Sequence, residues 1–164
     1  MAYGTDDGFI AWLTSQGLPP PSVLPAVLRQ IGSNYIDAAY EARLNCSSRA
    51  GGFNQLLAWP RKGHIMNGQT VPSDLVPQAW INAAYRAAYL EDMTPGWALS
   101  GSDPSRLTKV EKVDVISREF FAPKDAEASK DVAAGMPYDA FINGIVKPWL
   151  CSGSRRFDSL FRVI

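Results

Sequence analysis

The spacing of apolar side chains predicts a mainly helical chain. Phe9, Trp12 and Leu13 fall at i, i+3 and i+4, which predicts a first helix from about Asp6 to Gln16. Thr5 is placed to cap it, Asp6 and Asp7 suit the positive end of its dipole, and Gly17 is a natural stop. Pro19-Pro20-Pro21 then imposes an extended connector. A second helix is expected from about Val23 to Leu44, with Ser22 as N-cap and Pro25 in the first turn. Its ridge of Val23, Val27, Ile31, Tyr35 and Ala39 lies beside a second one of Leu24, Leu28, Ile36 and Tyr40, interrupted by Gly32. Two adjacent ridges describe a helix packed inside a bundle.

Between Asn45 and Val71 the period disappears. Gly51-Gly52, Lys62-Gly63 and Asn67-Gly68 read as turns, around the apolar run Gln55-Leu56-Leu57-Ala58-Trp59-Pro60-Arg61. A connection this long is unusual in a compact domain and tends to carry function. Helical period returns with Asp74 as a cap and Pro77 in the first turn. Val76, Trp80, Ala84 and Ala88 form one row, Ala79, Ala83 and Ala87 a second, and Ile81, Tyr85 and Tyr89 a third. Few positions remain to face water, so this helix needs burial on most sides. Either a tight monomeric bundle or a subunit interface through Trp80, Ala84, Tyr85, Ala88 and Tyr89 meets that need. Residues 107–121 carry β-formers such as Val113, Val115, Ile116 and Phe120, and predict a ribbon or a single edge strand. Residues 123–135 are small and charged, and predict a mobile stretch. A short helix opens at Pro137, carries Phe141, Ile142, Ile145 and Val146 on one side, and ends at Pro148.

The expected architecture is therefore a small bundle of three to four helices over residues 1–150. The long loop at 45–71 and the extended segment at 107–121 interrupt it, and a C-terminal tail at 151–164 follows. The tail sets Arg155, Arg156 and Arg162 among Phe157, Leu160 and Phe161. It is too apolar for permanent exposure and suits docking along a partner.

Charge and chemistry narrow the function. Sixteen basic residues balance sixteen acidic ones, whereas proteins that grip nucleic acid usually carry a basic excess. No run approaches the roughly 20 apolar residues of a membrane span, and the acidic N-terminus shows no secretory signal. His64 is the only histidine, which excludes multi-histidine metal centres, and in its Lys-Gly-His turn it reads as a solvated loop residue. Cys46 and Cys151 match no metal or redox spacing and read as two free thiols. Asn45-Cys46-Ser47 matches the glycosylation triplet by chance. The acidic pairs Asp6-Asp7 and Glu91-Asp92 fall at helix ends, where capping and solvation account for them. No nucleophile elbow, phosphate loop or dinucleotide fingerprint appears. No catalytic, cofactor or metal residues are assigned, and the chain is expected not to be an enzyme. The loop mixes Arg49, Phe53, Trp59, Arg61 and Lys62, as stacking on single-stranded bases requires. The more ordinary role of Trp59, Pro60 and Arg61 is to anchor the loop on its own bundle.

These features in order resemble a phage family. They are Tyr35-Ile36-Asp37 in the second helix, the Gln55-to-Arg61 loop, and Gly68 with Val71-Pro72 and Val76-Pro77 opening the alanine-rich helix. The extended Val110-Glu111-Lys112-Val113 segment and the closing Lys147-Pro148-Trp149-Leu150 also fit. The family is often labelled DnaT-like single-stranded-DNA-binding, and it resembles the head-to-tail connector adaptors of long-tailed phages. That resemblance implies a homo-oligomeric, dodecameric ring in the virion, assembled in the host cytoplasm. It would bind the portal protein through the C-terminal tail and meet a tail or stopper protein on its other face. Double-stranded DNA would pass through the lumen in weak contact, with no membrane involved. The alternative function is a single-stranded-DNA-binding accessory protein.

Overall fold

A computed structural model describes residues 1–100, 111–113, 116–118 and 135–151. Four α-helices are present among them: α1 (Asp6–Ser15), α2 (Pro25–Tyr40), α3 (Gln78–Met93) and α4 (Ala140–Val146). The fold is mainly α, as the hydrophobic period requires. The docking-tail residues Arg155, Arg156, Phe157, Leu160, Phe161 and Arg162 lie outside the described residues, as does most of the 123–135 stretch.

The helix entries follow local chemistry, with corrections at α2, at α3 and at α4, which begins at Ala140 rather than at Pro137. Thr5 caps α1 by accepting from the Gly8 N–H at 3.0 Å, and Gly17 takes a left-handed φ of 67° after the helix. The second helix is shorter than expected. It begins at Pro25, and Ser22 does not cap it. Instead the Asp92 carboxylate, at the end of α3, accepts from the Ser22 hydroxyl at 2.6 Å and from the Ser22 and Val23 N–H groups. Residues Glu41–Arg43 then tighten into a 3₁₀ turn. In α3, Pro77 stands at the N-cap position and Asp74 makes no cap. Asp139 caps α4 through the Ile142 N–H at 2.9 Å, and its carboxylate reaches Arg86 of α3 at 3.2 Å. Pro148 falls inside a closing 3₁₀ turn, Lys147–Trp149.

The α2–α3 pair forms the centre of the molecule. A Cβ on Gly32 would lie 2.2 Å from the Ala84 carbonyl oxygen and 2.8 Å from the Ala88 nitrogen. The gap in the α2 ridge is thus where the backbone of α3 sits, and the small side chains of α3 permit the approach. Trp80, Ala84 and Ala88 are fully buried, and Tyr85 nearly so, within this one chain. Tyr85 lies under the start of α1, where its hydroxyl accepts from the Thr5 N–H at 3.1 Å and donates to the Thr5 carbonyl at 3.2 Å. These four residues therefore do not form an exposed subunit face. The apolarity of α3 is met by α1, α2 and α4, and of the five only Tyr89 remains half-buried. Each large side chain buried here contributes about 1.5–3 kcal/mol.

Three short antiparallel pairs complete the fold among the described residues: β1 (Ser48–Arg49) with β2 (Arg61–Lys62), β3 (Ile65–Met66) with β4 (Gln69–Thr70), and β5 (Glu111–Val113) with β6 (Ile116–Arg118). Asn67 and Gly68 join β3 to β4 with positive φ values of 51° and 77°, as a tight hairpin demands. Of the two forms expected for residues 107–121, a ribbon or a single edge strand, the ribbon is present as β5–β6, in the register Glu111↔Arg118 and Val113↔Ile116.

Candidate functional site

The 45–71 segment is folded inward onto the bundle, and three polar knots hold it there. The first centres on Asp37. Its carboxylate accepts from the Tyr3 hydroxyl at 2.7 Å, the Ala58 N–H at 2.8 Å and the Trp80 indole N–H at 3.1 Å. The Tyr3 oxygen in turn accepts from the Trp59 N–H at 3.2 Å. One carboxylate thus ties the N-terminus, the loop and α3 to α2. Burial raises the pKa of Asp37, partly offset by the bonds it accepts from Ala58, Tyr3 and Trp80. Burial, and then the charge of Asp37, push the Tyr3 phenol well above its usual value, which keeps it a donor.

The second knot is Arg61, only 5% exposed. Its guanidinium donates to the carbonyls of Leu44 (2.9 Å), Ala58 (3.0 Å) and Ser47 (2.6 Å), and to the Ser47 hydroxyl (2.7 Å). Arg49 makes a two-pronged bond to Glu41, 2.6 Å on each arm. Trp59, with a cis bond to Pro60, is 1% exposed and packs edge-on against Trp80 and Trp149. Trp59 and Arg61 thus turn toward their own chain. Of the cations and rings that the loop offered to a nucleic acid strand, Arg49, Trp59 and Arg61 are engaged internally. Phe53 and Lys62 stand exposed.

The third knot corrects two expectations. Cys46 and Cys151 are joined as a disulfide across 105 residues, so they are not free thiols. His64 is buried at 2% exposure, so it is not a solvated loop residue. Its Nδ1 lies 3.1 Å from the Ser47 hydroxyl oxygen and 3.9 Å from the Cys46 sulfur. The ring meets Trp59 edge-on and stacks on Trp149. Burial, and then the nearby Arg61 charge, lower the His64 pKa, while a hydrogen bond to the Trp149 backbone opposes them. The acids at the end of α3 are also more than solvated. Glu91 is buried and accepts from the Gly96 and Ala98 N–H groups at 2.7 and 2.9 Å.

Residue patterns left Asp37, Tyr3 and the Cys46–His64–Cys151 group without a role. The available signal was composition: one acid inside Tyr35-Ile36-Asp37-Ala38-Ala39-Tyr40, and a single histidine with only two cysteines. An apolar groove of about 480 Å³ runs between the N-terminus and the loop, lined by Met1, Tyr3, Leu56, Leu57, Trp59 and Val76 among others.

The fold and this inward-anchored loop define a small, mainly helical bundle with a polar-knotted insertion. Residues 2–162 match the family described as "Putative DnaT-like ssDNA binding protein", and the chain belongs to that family. No curated protein and no solved structure matches it. The match supports the DnaT-like label seen in the sequence and does not extend to the connector assignment. No helix among the described residues is long and apolar enough to cross a membrane.

Proposed function

We propose that this chain is a non-enzymatic structural subunit of a tailed-phage head-to-tail connector, repeated as a ring between portal and tail or stopper proteins around passing DNA. The observation that carries the proposal is the fate of the loop. The groups best suited to gripping a strand are spent on carbonyls, Glu41 and the core, while apolar side chains at the start of α2 stand in water. Leu24 is 72% exposed, with Val23 and Val27 beside it. Apolar surface of that kind suits a protein partner better than phosphate. The balanced charge of the chain also suits a conduit that releases the DNA it passes.

The family's printed description favours a second reading, a single-stranded-DNA-binding accessory protein. Exposed Phe53 and Lys62 are the loop residues left to serve it. Particle images and sedimentation, with and without purified portal, combined with oligonucleotide anisotropy in a salt series, separate the two. The connector reading expects closed rings and single-strand affinity no better than about micromolar near physiological salt. Nanomolar binding by a monomer, weakened by Phe53→Ala and Lys62→Ala, would replace it with the second reading. Within the connector reading, deleting residues 154–164 is expected to abolish stable portal binding and leave the helical circular dichroism unchanged.

A further inference from the structure

The third knot has more chemistry than a disulfide needs. The ligand atoms of Cys46, His64 and Cys151 all lie within 4.8 Å of one another. The Nδ1 of His64 faces Cys46 and Ser47, and the ring stacks on Trp149 and bonds to its backbone. A backbone bond that fixes the ring of a ligating histidine is the usual support of a metal site. Two sulfurs and one imidazole nitrogen are also a recognised donor set for zinc, with the fourth position left open.

We propose that, when its disulfide is reduced, the Cys46–His64–Cys151 group is a binding site for a soft divalent cation of the zinc type. The disulfide and the metal site are alternative states of the same latch. Reduction takes two electrons and two protons from a thiol reductant, which is itself oxidised to a disulfide, and leaves two thiols. The cation then displaces both thiol protons and binds the two thiolates and the imidazole, with water or the Ser47 hydroxyl in the fourth position. In a tetrahedral zinc site, sulfur and nitrogen stand about 3.6 Å apart and the two sulfurs about 3.8 Å. The Cys46 Sγ to His64 Nδ1 separation of 3.9 Å is already close to the first value. The sulfurs reach the second by side-chain rotation.

The surroundings suit the reduced state. The Arg61 guanidinium, bonded to Ser47, lies beside the group and favours thiolate over thiol. Cys46 is exposed, which gives both reductant and ion a way in. The Cys151 N–H donates to the Arg43 carbonyl at 3.0 Å, which holds Cys151 near the loop without help from the sulfur bond. In either state the latch fastens residue 151, the start of the C-terminal segment, to the loop that follows α2.

The test uses the full chain, reduced with a phosphine, freed of reductant without oxygen, and titrated with cobalt(II). The expected result is one equivalent bound, with thiolate-to-cobalt charge transfer in the near ultraviolet and the intense visible bands of four-coordinate cobalt. Zinc should bleach these bands, and the unreduced chain should show none. His64→Ala should weaken cobalt binding about tenfold or more. Circular dichroism alongside reports whether the reduced chain is folded or is refolded by the metal. A reduced chain that binds no cobalt, folded or not, would overturn the proposal. Binding indifferent to His64→Ala would remove the histidine and overturn the three-residue site.

Discussion

The α2–α3 contact and the anchored part of the 45–71 loop, at Ala58, Trp59, Arg61 and His64, are both buried, yet they are held by opposite means. Between the helices, small side chains let two backbones meet, and the stabilisation is spread over many weak apolar contacts around Gly32, Ala84 and Ala88. The loop buries Ala58 and Trp59 but leaves Phe53, Leu56 and Ile65 exposed. It is fixed by directional bonds to Asp37 and Arg61 and by a covalent link from Cys46 to Cys151. Packing of the first kind tolerates small adjustments, because each contact is worth little. A buried polar knot fails abruptly, because removing one member leaves several others unsatisfied.

The largest effect should therefore come from Asp37→Ala. It strands the Tyr3 hydroxyl, the Ala58 N–H and the Trp80 indole together. A loss of about 4 kcal/mol is expected in urea unfolding, since each buried orphan costs about 1–3 kcal/mol. A loss below that of Gly32→Ala would reverse the ranking of the two regions. Replacing both cysteines by serine should cost about 3 kcal/mol under oxidising conditions. The same double variant should differ little from wild type once wild type is reduced without metal, which a paired set of melts would check.

Gly32→Ala tests the helix contact alone. The added methyl meets backbone rather than a flexible side chain, so α2 and α3 must part, at a cost of about 2 kcal/mol. An unchanged or raised melting temperature would mean that the helices do not meet as closely as described. The smallest effect concerns pH. Burial raises the folded pKa of Asp37 above 3.8, its ordinary value. Between those two values the folded chain holds the extra proton, so this group makes stability fall as pH rises. Below the lower value its contribution is complete, and above the folded pKa it is lost. Asp37→Asn should remove that part of the slope, measured as unfolding free energy against pH. An identical slope in the variant would show that the carboxylate is already ionised across the window.

The helices were legible for a local reason. Thr5, Pro25, Pro77 and the apolar ridges act within one or two turns, so their effect is visible in a short window of sequence. The exceptions are equally instructive. Ser22 has the chemistry of an N-cap, but Asp92, 70 residues away, takes its hydroxyl and its N–H. His64 sits in a Lys-Gly-His turn that reads as solvated, yet Trp59 and Trp149 enclose it. The partners of Trp59 and Arg61, among them Trp80, Trp149 and the Leu44 carbonyl, were not readable from the Gln55-to-Arg61 run.

By itself, the sequence determined the helical class, the place of the loop, the Asn67-Gly68 turn and the extended character of residues 107–121. Each follows from propensity and spacing that neighbouring residues decide among themselves. Tertiary structure alone decided that the aromatic face of α3 is filled by its own chain, that Asp37 gathers donors from three distant segments, and that Cys46, His64 and Cys151 converge. Those outcomes depend on which surfaces meet after the helices pack. A buried polar group takes whichever partner that packing brings within bonding distance, and no local period encodes the choice.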